Sequence, residues 1–310
     1  MASFHDFEIF ARVVATGSMS AAGRELGFSP ALISKRMKRL EERLGVRLMQ
    51  RTTRQIALTE VGQGFYERVV TILSCIEDAE NYVTRRSETV RGTLKIAAPT
   101  SFGRMHVAPH LKKWIVENPG ISVTLNLSDE FVDLVGEGFD LAIRIAELKD
   151  STNVAKKLAP NTRILCASPS YLETHGEPKS IADLTEHQCL AADSQELWRM
   201  TGPDGPVAIK PDGAIKTNSS EVVREAVLSG LGIAIRSTWD IGPELASGAL
   251  KVVLPQYRGS TNVGVYALYP SRQFLPTKVR VFIDFLSSLY GGTRPYWEEG
   301  IEGILDLDKR

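Results

Sequence analysis

Along residues 4–83 apolar side chains recur at spacings of three and four, the period of helices packed by one face. Phe7, Phe10, Val13 and Val14 mark a first helix over about 4–16. The stretch SMSAAGRELG, with a capping serine at Ser18 and a stop at Gly27, predicts a second. Ile33, Met37, Leu40 and Leu44 form the stripe of a third, opened by Ser29 and Pro30 and closed by Gly45. Only Gly27, Phe28 and Ser29 separate these two helices, and the small Ala21 and Ala22 let them cross closely. VRLMQRTTRQIALT then predicts two short strands around Arg51, Thr52, Thr53 and Arg54. From Thr59 onward, Val61, Phe65, Val69, Ile72, Ile76, Ala79 and Val83 keep the helical period. A single helix of that length, with one apolar stripe, suits a partner helix.

Beyond it the period changes. The polar segment Arg86–Gly92 reads as a linker. TLKIAA, ISVTLNL, FDLAIRI, RILCAS, LGIAIRS and VGVYALYP read as strands. RMHVAPHLKKWIVEN, FVDLVGEG, a segment after Asn218 and residues 276–290 read as helices. Such alternation predicts an α/β fold with mostly parallel sheets. Residues 291–310 find no place in the scheme.

Charge sharpens the picture of the first region. The 310 residues hold 37 Lys+Arg and 37 Asp+Glu, so any electrostatic function rests on uneven distribution. Arg24, Lys35, Arg36, Lys38, Arg39, Arg43, Arg47, Arg51 and Arg54 face only Glu25, Glu41 and Glu42 in the same stretch. A short helix, a glycine turn, a basic helix and a basic hairpin, in that order, make a helix-turn-helix with a wing. The N-terminus of such a helix enters the major groove of double-stranded DNA first. That selects Ser29, Pro30, Ala31, Ser34 and Lys35 for the groove. Lys38, Arg51 and Arg54 are placed for phosphates or the minor groove.

SMSAAGRELGFSPALISKRMKRLEERLGVRLMQRTTRQIALTEVG resembles the N-terminal domain of LysR-type transcriptional regulators, and its Arg-Thr-Thr-Arg wing resembles one large branch of them. Ala21-Ala22, Leu26, Ser29, Ser34, Leu40-Glu41, Leu44-Gly45, Arg47-Leu48, Arg51, Leu58-Thr59 and Gly62 fall in register. Two positions depart. Pro30-Ala31 stands where many members have Gln-Pro, which removes a common base-reading glutamine, and Met49 stands where phenylalanine is frequent. The likeness extends over about residues 3–290, carried further on by EGFDLAIRI and SGLGIAIRS.

The resemblance implies a winged helix-turn-helix DNA-binding domain over 1–58 and a dimerising linker helix over 59–88. It implies next an α/β effector domain over 89–300, similar to periplasmic solute-binding proteins, and a tail over 301–310. That effector domain would comprise two subdomains, about 91–161 with 268–300, and about 162–267. A homodimer, or a dimer of dimers, would place two basic helices on a two-fold promoter site. A small molecule in the cleft between subdomains would shift their placement. Candidate contacts are Thr100 and Ser101 after the first strand, Ser128 after the second, and Asn218 and Ser219 opening a later helix. Each could equally serve as an ordinary helix cap. Arg236, where relatives often carry proline, reads as a cation for a carboxylate, or as a partner of Asp240 on the surface.

Other classes fit less well. The chain lacks Gly-x-Ser-x-Gly, His-Glu-x-x-His, a phosphate-binding Gly-Lys-Ser/Thr loop and a GxGxxG fingerprint, so no enzyme is expected. His106 and His110 are four apart, but they read as a solvated or interfacial face beside Lys113, so neither metal nor cofactor is expected. Cys166 and Cys189 could make a redox-sensing regulator of the same architecture, yet both fall in core-like segments. With Cys75 they total three, which suits a reducing cytoplasm. No run of 18 apolar residues and no basic-then-apolar opening is present, so neither a membrane span nor a secreted solute receptor is expected.

Overall fold

The computed structural model describes residues 4–51, 56–84, 90–130, 132–147, 154–270, 275–292 and 294–305. The side chains of Arg51, Ile56, Thr71, Ser74, Cys75, Ser194 and residues 77–84 lie outside the description, as does Arg54.

Local signals build the N-terminal unit: α1 (Phe4–Thr16), α2 (Met19–Leu26) and α3 (Pro30–Leu44). Ser18 Oγ accepts the amide of Ala21, and Ser29 Oγ accepts the amide of Leu32. Each hydroxyl thereby satisfies one of the amides that a helix start leaves without a partner. Gly27 and Gly45 end α2 and α3 at φ 72° and 69°, where a side chain would crowd the backbone. β1 (Met49–Arg51) and β2 (Ile56–Leu58) pair antiparallel as the wing, and α4 (Glu60–Thr84) follows. Phe10, Val13, Ala22, Ile33, Met37, Leu40, Leu48 and Val69 share one core. At Gly62 a methyl group would come within 1.9 Å of Leu48 O, so only glycine lets α4 start against the wing.

Two stripes differ from expectation. On α3 the buried face ends at Leu40, and Leu44 is 38% exposed because the chain turns away at Gly45. On α4 the stripe divides: Phe65 and Val69 close the small core over α1, while Val61 and Ile72 stay exposed. The core of three short helices needs a fourth apolar surface, and α4 supplies it.

The remainder runs β3 (Gly92–Ala98), α5 (Thr100–Phe102), a π-helical turn (Gly103–Val107), α6 (Ala108–Glu117), β4 (Ile121–Leu127), β5 (Leu141–Glu147) and β6 (Val154–Pro160). Then come β7 (Arg163–Ala167), α7 (Pro169–His175), β8 (Trp198–Gly202), β9 (Gly205–Ile209), α8 (Ser220–Leu228), β10 (Ala234–Ser237) and α9 (Thr238–Ser247). β11 (Lys251–Gly259), β12 (Val263–Tyr269), α10 (Thr277–Leu289) and α11 (Glu302–Leu305) complete it. Two five-stranded sheets result, ordered β4-β3-β5-β12-β6 and β10-β7-β11-β8-β9. Trp114, Phe282 and Leu286 pack under the first, while Val223, Ile241 and Leu245 pack on one face of the second.

The sheets are less parallel than the alternation suggested. Among the described strands only β3–β4 and β3–β5 pair in parallel, and the other strand pairs are antiparallel. Short connections explain this: the turn from Gly202 to Gly205 can join only antiparallel neighbours. Within FVDLVGEG the described residues hold a turn over 134–138, not a helix, and Phe131 lies outside the description. Asp133 Oδ1 accepts the amides of Val135 and Gly136, and Gly138 sits at φ 69°, so side chain and glycine both divert the backbone.

The chain crosses between sheets twice, after β6 and after β11. Residues 263–269 therefore belong to the first sheet, and the second subdomain ends near Gly259 rather than at 267. A two-sided burial demand draws β12 between β5 and β6, where Val265 and Ala267 are fully buried.

The tail also has a place. Trp297 packs in the core of the first sheet, and Ile301 in a core of the second. Glu298 accepts from Thr238 Oγ1 at 2.7 Å, and Arg258 donates to Leu305 O at 2.8 Å. Gly242 of α9 lets the backbone at Trp297 approach, since a methyl there would meet its carbonyl at 2.7 Å. Residues 295–305 thus form a strap across both subdomains.

Candidate DNA interface and effector cleft

The cations of α3 divide into two groups. Arg36 and Arg43 reach back to Asp6 of α1, at 3.1 and 3.6 Å, and help fix the helix in its own domain. Ser29, Pro30, Ala31, Lys35, Lys38 and Arg39 are exposed. Lys38 has only a loose contact with Glu42 at 3.6 Å, between two exposed side chains. Such a pair contributes well under ~1 kcal/mol and yields readily to a phosphate. Ser34 is half-buried and engaged in contacts of its own.

Glu41 has a role that the charge pattern hid. Its Oε1 accepts the amides of Leu48 and Met49, at 2.8 and 3.1 Å, and so fixes the start of the wing. An acid one turn before a helix end, followed by a strand, was the available signal. Thr59 caps α4 through the amide of Gly62 and also donates to Arg47 O.

In the cleft the proposed contacts separate. Ser101 Oγ donates to Glu221 Oε1 across the subdomain boundary at 3.3 Å, and Arg104 Nε meets the same oxygen at 3.1 Å. The amide of Thr100 is taken by Asp129 Oδ1, and Ser128 Oγ accepts from the amide of Glu130. Ser219 sits at the cap of α8, and Asn218 is exposed. Only Ser101 and the start of α8 are therefore brought together. Two shallow grooves lie elsewhere, about 540 Å³ between α3 and the wing and about 480 Å³ on the outer face of α8.

Arg236 is not the unpaired cation expected of it. It is 4% exposed, and its Nε and Nη2 both donate to Asp240 Oδ2 while Nη1 donates to Ser220 Oγ. Nor does the pair lie on the surface. Burial raises the Asp240 carboxyl above its usual range, against the pull of Arg236 and Arg224. Arg224 lies between Asp240 and Glu244 and bonds the latter. Two arginines and two acids thus balance inside this subdomain.

Arg163, two residues beyond Asn161 on the first crossing, was passed over in the sequence. It stands opposite Ser237 in the β7–β10 ladder, next to Arg236. Burial, and then the like charge of Arg236, lower its pKa to about 10.

His106 is buried rather than solvated. Its Nε2 donates to Trp239 O at 2.8 Å, which leaves Nδ1 to accept from the Tyr296 hydroxyl at 2.6 Å. Phe102, Trp239 and Trp297 surround the ring. Burial lowers its pKa to about 4, so it is neutral at physiological pH. Among the described residues no group of three His, Cys, Asp or Glu side chains could hold a metal.

The cysteines sit in separate cores on the two faces of one sheet. Burial pushes Cys166 up to about 12 and Cys189 up to about 11, so neither is a ready thiolate. A redox-sensing role is not favoured. No helix among the described residues is long and apolar enough to cross a membrane.

Comparison with known proteins agrees with this division of labour. Residues 4–63 match the family described as bacterial regulatory helix-turn-helix protein, lysR family, and residues 87–290 match the LysR substrate binding domain. The chain is 38% identical over 295 residues to the HTH-type transcriptional regulator DmlR of Escherichia coli strain K12, covering 94% of this chain and 95% of that protein. It is 35% identical over 287 residues to the transcriptional activator TtdR of the same strain, with 91% and 92% covered. Full-length AphB of Vibrio cholerae aligns with TM-score 0.59 and 28% identity over 93% of this chain and 99% of that one. CrgA of Neisseria meningitidis aligns with TM-score 0.59 and 32% identity, covering 93% and 98%. The chain belongs to the LysR family of bacterial transcriptional regulators, DNA-binding proteins answering to small molecules rather than enzymes.

Proposed function

We propose that this regulator acts in the cytoplasm as a homodimer or a dimer of dimers, pairing through α4, on which Val61 and Ile72 are exposed apolar positions. Each copy sets the start of α3 into a major groove, with Ser29, Pro30, Ala31, Ser34 and Lys35 at the bases and Lys38, Arg51 and Arg54 at the backbone. One observation carries this reading: the N-terminal end of α3 is exposed, while the cations that fix the helix, Arg36 and Arg43, lie further along it. A small effector enters the cleft where Ser101 faces the start of α8. Its binding alters the spacing of the two α3 helices, and so promoter geometry.

The test is selective retention of fragmented genomic DNA at two salt concentrations. Specific sites survive the higher salt, because base contacts add to the counterion-dependent part. Lys35→Ala should weaken the retained sites by about 1–3 kcal/mol more than random DNA. Equal loss on both would reduce Lys35 to a phosphate contact.

A further inference from the structure

We infer that Asn161 and Arg163, where the chain first crosses between the two sheets, form the anchoring subsite for a small carboxylate effector. The inference rests on the reading of the cleft as an effector site and deepens it. Within the second subdomain Arg224 and Arg236 are matched by Asp240 and Glu244. Arg163 has no hydrogen-bond or ion-pair partner among the described residues, and the charge that acts on it most is the like charge of Arg236. Asn161 is 6% exposed, and both its Nδ2 and its Oδ1 lack a partner. Buried amides are nearly always satisfied, so a doubly orphaned one beside an unpaired guanidinium calls for a polar occupant.

Placement supports the pairing. Thr238 N donates to Thr162 O, which carries the β7–β10 ladder one residue past Arg163. On extended chain, residues two apart share a face, so Asn161 and Arg163 lie on one side of the crossing strand. Arg163 pairs with Ser237 and Arg236 with Ile164, so the two guanidinium groups leave the sheet on opposite faces and Arg163 stays apart from the Arg236–Asp240 pair. The guanidinium offers two parallel N–H groups to a carboxylate, and the Asn161 amide adds a third donor. Its carbonyl oxygen asks for a donor in return. The ligand class is therefore a carboxylate with a hydroxyl or an ammonium beside it.

The experiment uses the full chain with lactate, alanine and acetate as probes, read by thermal shift and calorimetry. Lactate or alanine should raise the melting temperature of the wild type, and acetate should do so less. Arg163→Met should weaken the better probe at least about tenfold, with no fall in melting temperature when no probe is present. Asn161→Asp supplies an internal carboxylate, so it should raise the probe-free melting temperature and abolish the shift. A wild type that retains specific DNA but ignores all three probes overturns the subsite alone. So does an Arg163→Met protein that binds them as the wild type does, or one that melts several degrees lower without a probe. A wild type that retains no specific DNA removes the underlying reading instead.

Discussion

The DNA-binding head and the effector domain handle arginine in opposite ways. In the head the ion-paired cations keep access to solvent: Arg12 and Arg36 are half-buried and Arg43 is exposed, although Asp6, which takes the last two, is largely covered. In the effector domain, Arg236 and Asp240 are 4% and 1% exposed and bonded to each other. A surface cation is available to whatever comes, and its role follows from where it stands. A buried cation has a role only in relation to its partner, and Arg163 stands apart from Arg224 and Arg236, which Asp240 and Glu244 match.

The comparison breaks most clearly at Arg236. Arg236→Ala leaves Asp240 buried with only the longer contact to Arg224, so urea unfolding should show a loss of about 3 kcal/mol. A loss below about 1 kcal/mol would place the pair among the weak surface bridges. Next comes His106. Its folded pKa of about 4 lies below the ordinary 6.5, so below pH 6.5 the unfolded chain binds a proton that the native one refuses. The contribution is full above pH 6.5 and is lost as pH falls toward 4, by about 3 kcal/mol in total. His106→Gln should flatten that slope in paired urea titrations. Ser29→Ala removes the cap of α3 and should cost about 1 kcal/mol, along with DNA affinity. The smallest effect is at Arg104. Arg104→Ala breaks an exposed bridge to Glu221, so stability should move by less than about 0.5 kcal/mol while the cleft opens more readily.

Sequence reading succeeded where the cause is local. Ser18, Ser29, Gly27 and Gly45 act on neighbours within four residues, and each does what its residue type suggests. It failed where the cause is distant. The pairing of Arg236 with Asp240, four residues on, was one of its two readings, but the burial of that pair is set by the surrounding fold, and whether Arg163 is free depends on every acid the fold brings near. Some failures were avoidable: Trp198, Met200 and the Pro203-Asp204-Gly205 turn carry an ordinary hairpin pattern. The strap was not legible, since Trp297 and Ile301 answer to cores in different subdomains and share no periodicity. For the candidate sites, the exposed end of α3 was readable from composition and caps. The cleft was readable only as a place.

The strap changes the mechanics of that cleft. Two crossing strands already join the subdomains, and the bond from Thr238 to Glu298 adds a third tie beside Thr162. Gly259, at the start of the second crossing, lies against Arg163, where a methyl would come within 2.5 Å of its Cβ. Three ties gathered around one spot leave rotation about that spot as the soft motion. Near such a pivot displacements are small, whereas the lip at Ser101 and Glu221 has the longer lever arm. A ligand held at Asn161 and Arg163 would keep its grip throughout the swing, and the lip would carry the message outward.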